Sequence, residues 1–269
     1  MRDKIKQCFI DHNVEFFSIL SYSDLKEING RIIEREGFKP QSAIVYLLPY
    51  YAGETVNLSR YAASLDYHIA ISEINDSLIR LIKEHFPNSL VKGYGDHSPI
   101  DERHAALIGG LGILGDNGLI INEKYGTYVF IADVLTDIDP ALMRCDMPSE
   151  IAFCEKCGAC RKACPTGILS GEGTDCLSAI TQRKGELSDS EIALMQSYNT
   201  VWGCDECQSA CPHNKAPLIT PIEFFHRDRI PHLTEELLDA MSEEDFSRRA
   251  FAWRKRKTVK RNLEILGKK

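Results

Sequence analysis

Residues 154–165 read CEKCGACRKACP, which places cysteines at positions 154, 157, 160 and 164 and a proline directly after the last one. A compact iron–sulfur core needs soft thiolate ligands on several sides. Cysteines three residues apart on a tightly wound loop can direct their sulfurs at neighbouring corners of such a core, and the fourth begins a turn that leads away from it. The spacing therefore predicts iron–sulfur ligation.

A second group of cysteines complements the first. Cys204, Cys207 and Cys211 precede Pro212, and Cys176 lies upstream of them. The run C-x2-C-x2-C-x3-C-P is typical of bacterial ferredoxins with two [4Fe–4S] clusters, in which the fourth cysteine ligates the other cluster. We therefore predict one cluster on Cys154, Cys157, Cys160 and Cys211, and a second on Cys176, Cys204, Cys207 and Cys164. Together they would carry single electrons; structural zinc on the paired cysteines is the alternative.

Charge and composition narrow the class of protein. The chain has 269 residues, a hydrophobic fraction of 43% and a formal net charge of -7. This favours one large or two modest domains and argues against a broadly basic, nucleic-acid-binding surface. The charged start has no signal-peptide core, and the apolar runs 42–51 and 105–115 are too short to span a bilayer. We expect a cytoplasmic protein without a membrane partner, in which Cys8 and Cys145 are ordinary buried thiols.

Hydrophobic spacing predicts a mixed α and β first half. Helices are expected over residues 2–12, 23–36, 66–86 and 101–108, and strands over residues 14–20, 43–48, 90–91, 119–121 and 128–135. The helix over 66–86 is the clearest, because apolar residues recur along it at helical spacing. The strands 119–121 and 128–135 are predicted to pair through a turn at 123–126.

A change of composition after Asp137 predicts a domain boundary. Pro140 and Pro148 flank Cys145, and eight of the ten cysteines lie between positions 154 and 211. We predict an α/β domain over residues 1–148. A two-cluster domain with a helical, basic tail is predicted over residues 149–269.

Short motifs outside the cysteine segments occur in a specific order. They are Arg60-Tyr61-Ala62 with Asp66-Tyr67-His68, Asp96-His97-Ser98-Pro99-Ile100 with Glu102-Arg103, Gly110-Leu111-Gly112 with Gly115, Gly126-Thr127 through Leu135-Thr136-Asp137, and Arg261-Asn262 after a basic run. In this order and spacing, and together with the cysteines, they resemble the epoxyqueuosine reductases. That family comprises the cobalamin- and iron–sulfur-dependent enzymes of tRNA queuosine modification. The resemblance covers nearly the whole chain.

The resemblance implies a fold and a mechanism. The fold class is α+β: a nitroreductase-like α/β domain that binds base-off cobalamin, followed by a two-cluster ferredoxin-like domain with a helical tail. Electrons would pass from the clusters to cobalt, and Asp96 would be the catalytic residue that supplies a proton to the substrate. A carboxyl in this role is expected to be buried in the cofactor pocket. From the residues alone, Asp96 is also interpretable as a loop-capping carboxylate after Gly95.

Further residues are implied to contact the cofactor by the same resemblance. They are Tyr67, His68, His97, Ser98, Gly112 and Gly115. The resemblance suggests no histidine ligand to cobalt. Tyr67 and His68 are equally compatible with a packing pair at a helix start. The glycines of 109–115 are compatible with a tight turn, and they do not form a dinucleotide fingerprint because they follow a helix rather than a strand.

The basic run near the C-terminus is the expected contact with tRNA. Its members are Arg254, Lys255, Arg256, Lys257, Lys260 and Arg261. Such side chains bind phosphates, although the run could also be a solvated helix face that offsets an acidic body. The resemblance further implies an external electron donor such as flavodoxin or ferredoxin.

Some positions depart from the family pattern. Ile113 stands for a tryptophan, Asp116 for a lysine, and Ala132-Asp133 for a Gly-Glu pair. The sequence also stops before the C-terminal helical-repeat domain of the family's long form, so a short form is expected. These departures fall around the implied cofactor pocket and the implied tRNA-binding surface, whereas the predicted cluster ligands are all present. Two other functions therefore stay open: a related corrinoid iron–sulfur reductase with another substrate, and a non-catalytic two-cluster electron-transfer protein.

Overall fold

The computed structural model describes residues 1–268, so Lys269, the last residue of the second predicted domain, lies outside the described residues. The chain divides into two compact units. The first, here called the sheet unit, consists of Met1–Pro49 and His68–Lys156. The second, here called the cluster unit, consists of Tyr50–Tyr67 and Cys157–Lys269. Helices and strands mix in the former and helices dominate the latter, which confirms the predicted α+β class.

The sheet unit alternates helices and strands along the chain. Its helices are α1 (Arg2–Asp11), α2 (Gly30–Glu36), α3 (Tyr67–His85, whose first residue belongs to the cluster unit), α4 (Glu102–Ile108) and α5 (Pro140–Met143). Its strands are β1 (Phe17–Ser21), β2 (Ser42–Pro49), β3 (Val91–Tyr94), β4 (Ile113–Leu114), β5 (Ile120–Ile121) and β6 (Val129–Thr136). The predicted helices over 2–12, 66–86 and 101–108 and the strand over 43–48 are confirmed within one or two residues.

An antiparallel four-stranded sheet in the order β1-β2-β6-β3 forms the centre of this unit. Strand β2 is buried along its whole length because both faces of the sheet are covered. On one face, α4 packs through Ala105 and Leu107 against Val45 and Leu135. The register places Asp133 of β6 between Val45 of β2 and Tyr94 of β3, so its side chain lies on this same face.

Helices α1 and α3 are positioned on the opposite face by specific contacts. The ring of Phe9 in α1 lies 5.0 Å from that of Tyr46. The Tyr46 hydroxyl donates to Asn75 Oδ1 of α3 at 2.8 Å. Gly93 allows this close approach, because a Cβ there would lie 2.6 Å from the Asn75 side chain. The conspicuous amphipathic helix is thus anchored to the sheet by a buried amide as well as by its apolar stripe.

Residues 23–29 differ from the predicted helix over 23–36. Only Gly30–Glu36 is α-helical, and the segment before it is bonded to the loop that precedes α4. The N–H groups of Ile28 and Asn29 donate to the Pro99 carbonyl at 2.8 and 3.0 Å, and Asp101 N–H donates to the Lys26 carbonyl at 2.8 Å. Tertiary hydrogen bonds have replaced those of a helix here.

The predicted turn at 123–126 is confirmed, because Asn122 and Gly126 exchange N–H to carbonyl hydrogen bonds at 2.8 and 3.0 Å across it. The predicted pairing of the flanking strands 119–121 and 128–135 is wrong. Strand β5 pairs with β4 in a separate two-stranded ribbon, whereas β6 pairs with β2 and β3. The reason lies in Asn122, whose side-chain oxygen accepts the N–H groups of Lys124 and Tyr125 at 3.0 and 3.1 Å. Its amide donates to the Leu111 carbonyl at 2.9 Å, which turns the chain out of β5 and towards the glycine run.

The cluster unit is built around a segment from the first half of the chain. Residues 50–67 lie against the second half: Ser59 N–H donates to the Trp202 carbonyl at 2.7 Å, and Val56 N–H donates to the Pro231 carbonyl at 2.8 Å. Leu58 and Trp202 share an apolar core with Phe251. This core explains why the segment leaves the sheet unit after β2.

Short helices make up the rest of the cluster unit. They are α6 (Ala159–Ala163), α7 (Leu177–Gln182), α8 (Asp189–Ser197), α9 (Glu206–Ser209), α10 (Glu235–Ala240), α11 (Glu243–Ser247) and α12 (Arg256–Gly267). Within residues 1–268, no helix has the length and apolar character needed to cross a bilayer. The buried side chain of Asn262 in α12 donates to the carbonyls of Thr181 and Val201 at 2.7 and 2.8 Å. The Arg261-Asn262 motif therefore joins the tail to this unit.

The units differ from the predicted ranges 1–148 and 149–269 in two places. Residues 50–67 belong with the second half, as described above, and residues 149–156 stay with the first. Ser149 N–H donates to the Ile108 carbonyl at 2.7 Å, and Leu114 N–H donates to the Ala152 carbonyl at 2.9 Å. The prolines at 140 and 148 thus precede the structural boundary instead of marking it.

Candidate functional site

The cysteine segments fold as short loops and helical turns. Cys160 lies within α6 and Cys207 within α9, and these two helices pack against each other. Cys160 and Cys211 are buried, whereas Cys157 and Cys176 are exposed. The structure therefore brings the predicted cysteines from Cys157 onward together inside the cluster unit, with thiols at its surface as well as in its interior, whereas Cys154 lies in the sheet unit.

Backbone N–H groups are directed at several of the sulfurs. Asp116 N–H donates to Cys154 Sγ at 3.2 Å, within the sheet unit. Burial alone would raise the pKa of the Cys164 thiol, but backbone N–H groups, among them that of Leu169, and the Thr166 hydroxyl outweigh burial and lower it. Such donors favour the thiolate form, which is the form that ligates metal.

At Cys204, burial outweighs hydrogen bonding, so the pKa of the thiol is raised instead of lowered. Burial raises the pKa of its thiol to about 12; a hydrogen bond from Glu206 N–H opposes the rise, and the charges of Cys176 and Cys207 add to it. A buried thiol whose pKa is raised further by two neighbouring thiols needs a strong positive charge nearby to become a thiolate. Iron supplies such a charge, so this group fits an iron–sulfur cluster.

The cysteine side chains suit iron–sulfur clusters better than they suit a single metal ion. Within residues 1–268, no three His, Cys, Asp or Glu side chains converge closely enough to hold one metal ion. A cubane cluster is larger than an ion, so its ligands need not meet at a point. Eight cysteines, with N–H donors at Cys154, Cys164 and Cys204, fit two such clusters by donor chemistry.

Arg60 of the Arg60-Tyr61-Ala62 motif anchors the loop that carries Cys204. Its guanidinium contacts Asp205 Oδ2 at 3.3 Å and Glu54 Oε2 at 2.6 Å. Its N–H donates to Asp205 at 2.6 Å, and the Ser59 hydroxyl donates to the same carboxylate. A motif distant in sequence from the cysteines thus fixes the residue next to one of them.

Cys8 and Cys145 lie apart from these segments, in the sheet unit. Both are half-buried, which is less than the full burial expected from the sequence. Burial raises the pKa of each thiol. Cys145 Sγ donates to Ser42 Oγ at 3.8 Å. Nothing in their surroundings points to ligation.

Asp96 occupies the loop between β3 and α4 in a left-handed conformation, with φ 65°. Aspartate tolerates this region better than most residues do. Its N–H donates to Glu102 Oε1 at 3.0 Å, so the first residue of α4 holds the loop. Asp101 caps the same helix by accepting His104 N–H at 3.1 Å. The N-cap of α4 is therefore Asp101, and the interpretation of Asp96 as a loop-capping carboxylate stays a second possibility.

The Asp96 carboxylate faces His68 at the start of α3. Asp96 Oδ2 lies 3.6 Å from His68 Nε2, and the two side chains are 48% and 47% exposed. Their exposure contradicts the expectation of a buried carboxyl. Of the other predicted contacts, His97 is exposed and Ser98 is buried, and Tyr67 is half-buried in the cluster unit. The structure brings an acid and an imidazole together where a ligand could reach both.

Two carboxyl groups behind this loop, the half-buried Glu102 and the fully buried Asp133, were not predicted as site residues. Burial raises the pKa of Glu102 to about 8, and the nearby charges of Asp133 and Asp96 contribute. Burial also raises the pKa of Asp133 to about 7. The Ser98 hydroxyl lies near enough to oppose this slightly, but it does not complete a hydrogen bond, and neither carboxylate oxygen of Asp133 has a partner among residues 1–268. The signal in the sequence was a lone Asp133 at a core-facing position of an apolar strand.

Replacing Asp133 by asparagine is expected to remove part of the pH dependence of stability. In the wild type, the unfolded chain loses this proton near pH 3.8, whereas the folded protein keeps it to about pH 7. Between these values the folded state binds more protons, so stability falls by about 4 kcal/mol as pH rises. The urea midpoints of wild type and Asp133→Asn should therefore diverge in favour of the variant towards pH 8. A constant difference between the two midpoints over this pH range would contradict this.

Neighbouring atoms leave no room for a side chain at Gly112 or at Gly115. A Cβ on Gly112 would lie 2.6 Å from the Ile121 carbonyl oxygen, and one on Gly115 would lie 2.5 Å from Asn117 Oδ1. The close packing of the β4–β5 ribbon accounts for both. Their predicted contact with a cofactor stays a prediction.

The basic run near the C-terminus divides into two groups. Arg256 donates to the Met241 carbonyl at 3.0 Å, Lys260 contacts Asp239 at 2.7 Å, and Arg261 donates to the Arg183 carbonyl at 2.8 Å. These three residues hold the cluster unit together. Lys255 and Lys257 are exposed, so the surface that can meet phosphates is smaller than the sequence suggested.

Comparison with known proteins agrees with this geometry. Residues 153–214 match the family model described as a 4Fe-4S double cluster binding domain. This confirms the prediction of two [4Fe–4S] clusters, whereas the assignment of individual cysteines stays a prediction.

Curated relatives carry the name epoxyqueuosine reductase. The protein of Listeria monocytogenes is 31% identical over 222 residues, which are 77% of this chain and 56% of the relative. The protein of Cyclobacterium marinum is 29% identical over 245 residues, or 86% of this chain and 77% of the relative. The chain spans about half the length of most of the curated relatives it matches.

Solved structures confirm the fold. An epoxyqueuosine reductase bound to an epoxyqueuosine-modified tRNA stem loop superposes with a TM-score of 0.77 at 24% identity, covering 98% of this chain and 80% of that one. The α+β architecture deduced from the sequence is therefore that of the structures bearing this name.

Proposed function

Because it resembles epoxyqueuosine reductases in sequence and in fold, we propose that this chain is a cobalamin-dependent iron–sulfur reductase that converts epoxyqueuosine to queuosine in tRNA. The observation that carries the proposal is the pairing of two functions in one chain. One is a double-cluster segment for electron supply, and the other is an acid–imidazole pair, Asp96 and His68, at the edge of the sheet unit.

The cysteines would hold the electron-carrying groups. Cys154, Cys157, Cys160 and Cys211 are assigned to one cluster and Cys176, Cys204, Cys207 and Cys164 to the other. The N–H donors at Cys154, Cys164 and Cys204 would stabilise the negative charge that a cluster gains on reduction. When bound, cobalamin supplies the low-potential carbon–oxygen chemistry that no side chain provides.

Asp96 would hold the proton that the substrate needs. Conversion of an epoxide to an alkene breaks two carbon–oxygen bonds, forms a carbon–carbon double bond and releases water, so it consumes two electrons and two protons. The Asp96 carboxyl is positioned for proton transfer by the Glu102 hydrogen bond to its N–H. His68, 3.6 Å away, would keep the carboxyl oriented. Tyr67 and His97 flank this pair in the chain and are assigned to cofactor contact.

Partners and compartment follow from this chemistry. A one-electron donor such as flavodoxin or ferredoxin would feed the clusters, and tRNA would be the substrate. The proposal places the protein in the cytoplasm, where tRNA is modified.

A second candidate function is reduction of a different substrate by a related corrinoid iron–sulfur enzyme. It is favoured by the departures at Ile113, Asp116 and Asp133. The first two lie in or beside the β4–β5 ribbon, and Asp133 lies behind the Asp96 loop.

Cobalamin binding and turnover are expected to separate these possibilities. Anaerobically purified protein with full iron content should shift added cobalamin to its base-off visible spectrum. With a chemical reductant, it should convert epoxyqueuosine in tRNA isolated from a reductase-deficient strain, as followed by mass spectrometry of the nucleosides. Protein heated until its iron is lost is the control.

Each outcome has a distinct meaning. Cobalamin binding without turnover would favour another substrate. Intact clusters without any spectral shift would reject the reductase proposal and leave an electron-transfer protein.

A further inference from the structure

An exposed tryptophan lies beside the basic residues that precede α12. Trp253 is 57% exposed, and Lys255 and Lys257 are exposed next to it. An exposed aromatic side chain with cationic side chains beside it is a surface on which a partner can stack. Phe246 and Ala252, which line the cleft beside Trp253, are apolar.

The indole is held in place from one side. Its ring meets the fully buried ring of Trp202 edge-on, with centroids 6.5 Å apart and an interplanar angle of 89°. Trp202 is fixed in turn, because its Nε1 donates to the Tyr61 hydroxyl at 3.0 Å. Arg254 lies over the indole, with Cζ 3.8 Å from the ring centroid. Trp253 and Arg254 thus form an ordered flat pair, which would lose little conformational entropy on binding a third flat group.

The charge around this pair suits a polyanion. A cleft of about 530 Å³ beside Trp253 is lined by Lys255, Arg256 and Lys257 and by the acidic residues Asp66 and Glu243. Glu243 is neutralised by Arg256 at 3.0 Å. Lys255, with φ 70°, projects from the turn that begins α12. On a chain of net charge -7, this is a local basic patch and not part of a general field.

We propose that Trp253 and Arg254 form a binding site for an unpaired nucleobase of RNA, which stacks on the pair while Lys255 and Lys257 contact the flanking phosphates. Aromatic and guanidinium planes are the surfaces on which proteins stack splayed-out bases, and lysines beside them hold the backbone. The inference rests on the proposed function, since it gives the tRNA substrate a contact in the cluster unit. It also specifies single-stranded RNA over duplex.

The test uses the full iron-loaded chain and two labelled RNA probes. One is an unmodified tRNA anticodon stem loop, and the other is a duplex of equal length without unpaired bases. Trp253→Ala is expected to weaken stem-loop binding about 5- to 100-fold, the range of one base–aromatic stack, with little effect on the duplex. Trp253→Phe should lie between wild type and Trp253→Ala.

Two readouts separate stacking from charge. The chain has two tryptophans, of which Trp202 is buried, so quenching of intrinsic fluorescence by the stem loop should vanish in Trp253→Phe. Lys257→Gln should lower the salt slope of stem-loop binding by about 0.7. The matched controls are Tyr198→Ala, another exposed aromatic of the cluster unit, and Lys184→Gln, another exposed lysine; both should bind RNA as the wild type does.

The outcomes distinguish this inference from the proposed function. Unchanged stem-loop affinity in Trp253→Ala, or an equal loss on duplex, would overturn the stacking site even if the wild type reduces epoxyqueuosine. A Trp253-dependent loss with no turnover in the wild type would support the site while rejecting the reaction. Absence of any stem-loop binding by the wild type would overturn both.

Discussion

The Cys157→Ala protein is expected to retain about half of the wild type's roughly eight iron atoms per chain. Cys157 is the second of the four cysteines in the first run, and it is exposed at the start of the second segment of the cluster unit. Removing one of four thiolates leaves an open iron site, and metal binding is coupled to folding of the loop that holds it. Iron and sulfide assay, with the visible absorption of anaerobically purified protein, measures the loss.

The matched control is Cys8→Ala, a half-buried cysteine of α1 outside both runs. It should keep full iron content. If Cys157→Ala kept all its iron, or if zinc replaced iron in the wild type, the ligand assignment would be wrong, and the electron supply proposed above would fail with it.

The Asp96→Asn protein should keep both clusters and lose turnover of epoxyqueuosine by about 10²- to 10⁴-fold, the usual contribution of a positioned general acid. Asparagine is chosen because it tolerates the left-handed backbone at this position, where φ is 65°, almost as well as aspartate does. The N–H bond to Glu102 can therefore persist. The substitution removes the acidic proton and little else.

Single-turnover conversion, followed by mass spectrometry of the nucleosides, measures this effect. Asp76→Asn, on the exposed side of α3, is the control and should turn over normally. Iron content and cobalamin spectra should match the wild type in both variants. Normal turnover by Asp96→Asn would remove Asp96 from the proton-transfer step.

The cluster segment was predictable from sequence because its chemistry is local. Cys154 to Cys164 are fixed in spacing by one loop and one helical turn, so the pattern carries the geometry. The helix α3 was predictable for a similar reason: its apolar stripe repeats over 19 residues, which tertiary contacts do not override.

Elements that depend on distant partners were not predictable. Residues 26–29 bond to the loop at 99–101, and Asn122 turns the chain out of β5, so neither follows the local pattern. The excursion of residues 50–67 has the same origin, because its partner Trp202 lies far along the chain.

The candidate site likewise combines residues that the sequence identified with contacts that it could not show. Asp96 and His68 came from short motifs, but their meeting at 3.6 Å needs the β3–α4 loop to reach the start of α3. Glu102 stands in one of these motifs without an evident role until its bond to Asp96 is seen. The basic run was predicted as one surface, but folding turns Arg256, Lys260 and Arg261 inward to backbone and carboxylate partners.

Because residues 50–67 belong to the cluster unit, a single cut in the sequence cannot separate the two units. Cutting the gene after Lys156 would give a carboxy-terminal fragment whose Trp202 carbonyl has lost Ser59 and whose apolar core has lost Leu58. The same cut leaves the amino-terminal fragment with residues 50–67 but without Trp202 and Phe251, which share the apolar core with Leu58. Residues 50–67 are synthesised more than a hundred residues before Trp202, their partner in the cluster unit. Until Trp202 has been made, Leu58 therefore lacks the apolar partner that it has in the folded cluster unit.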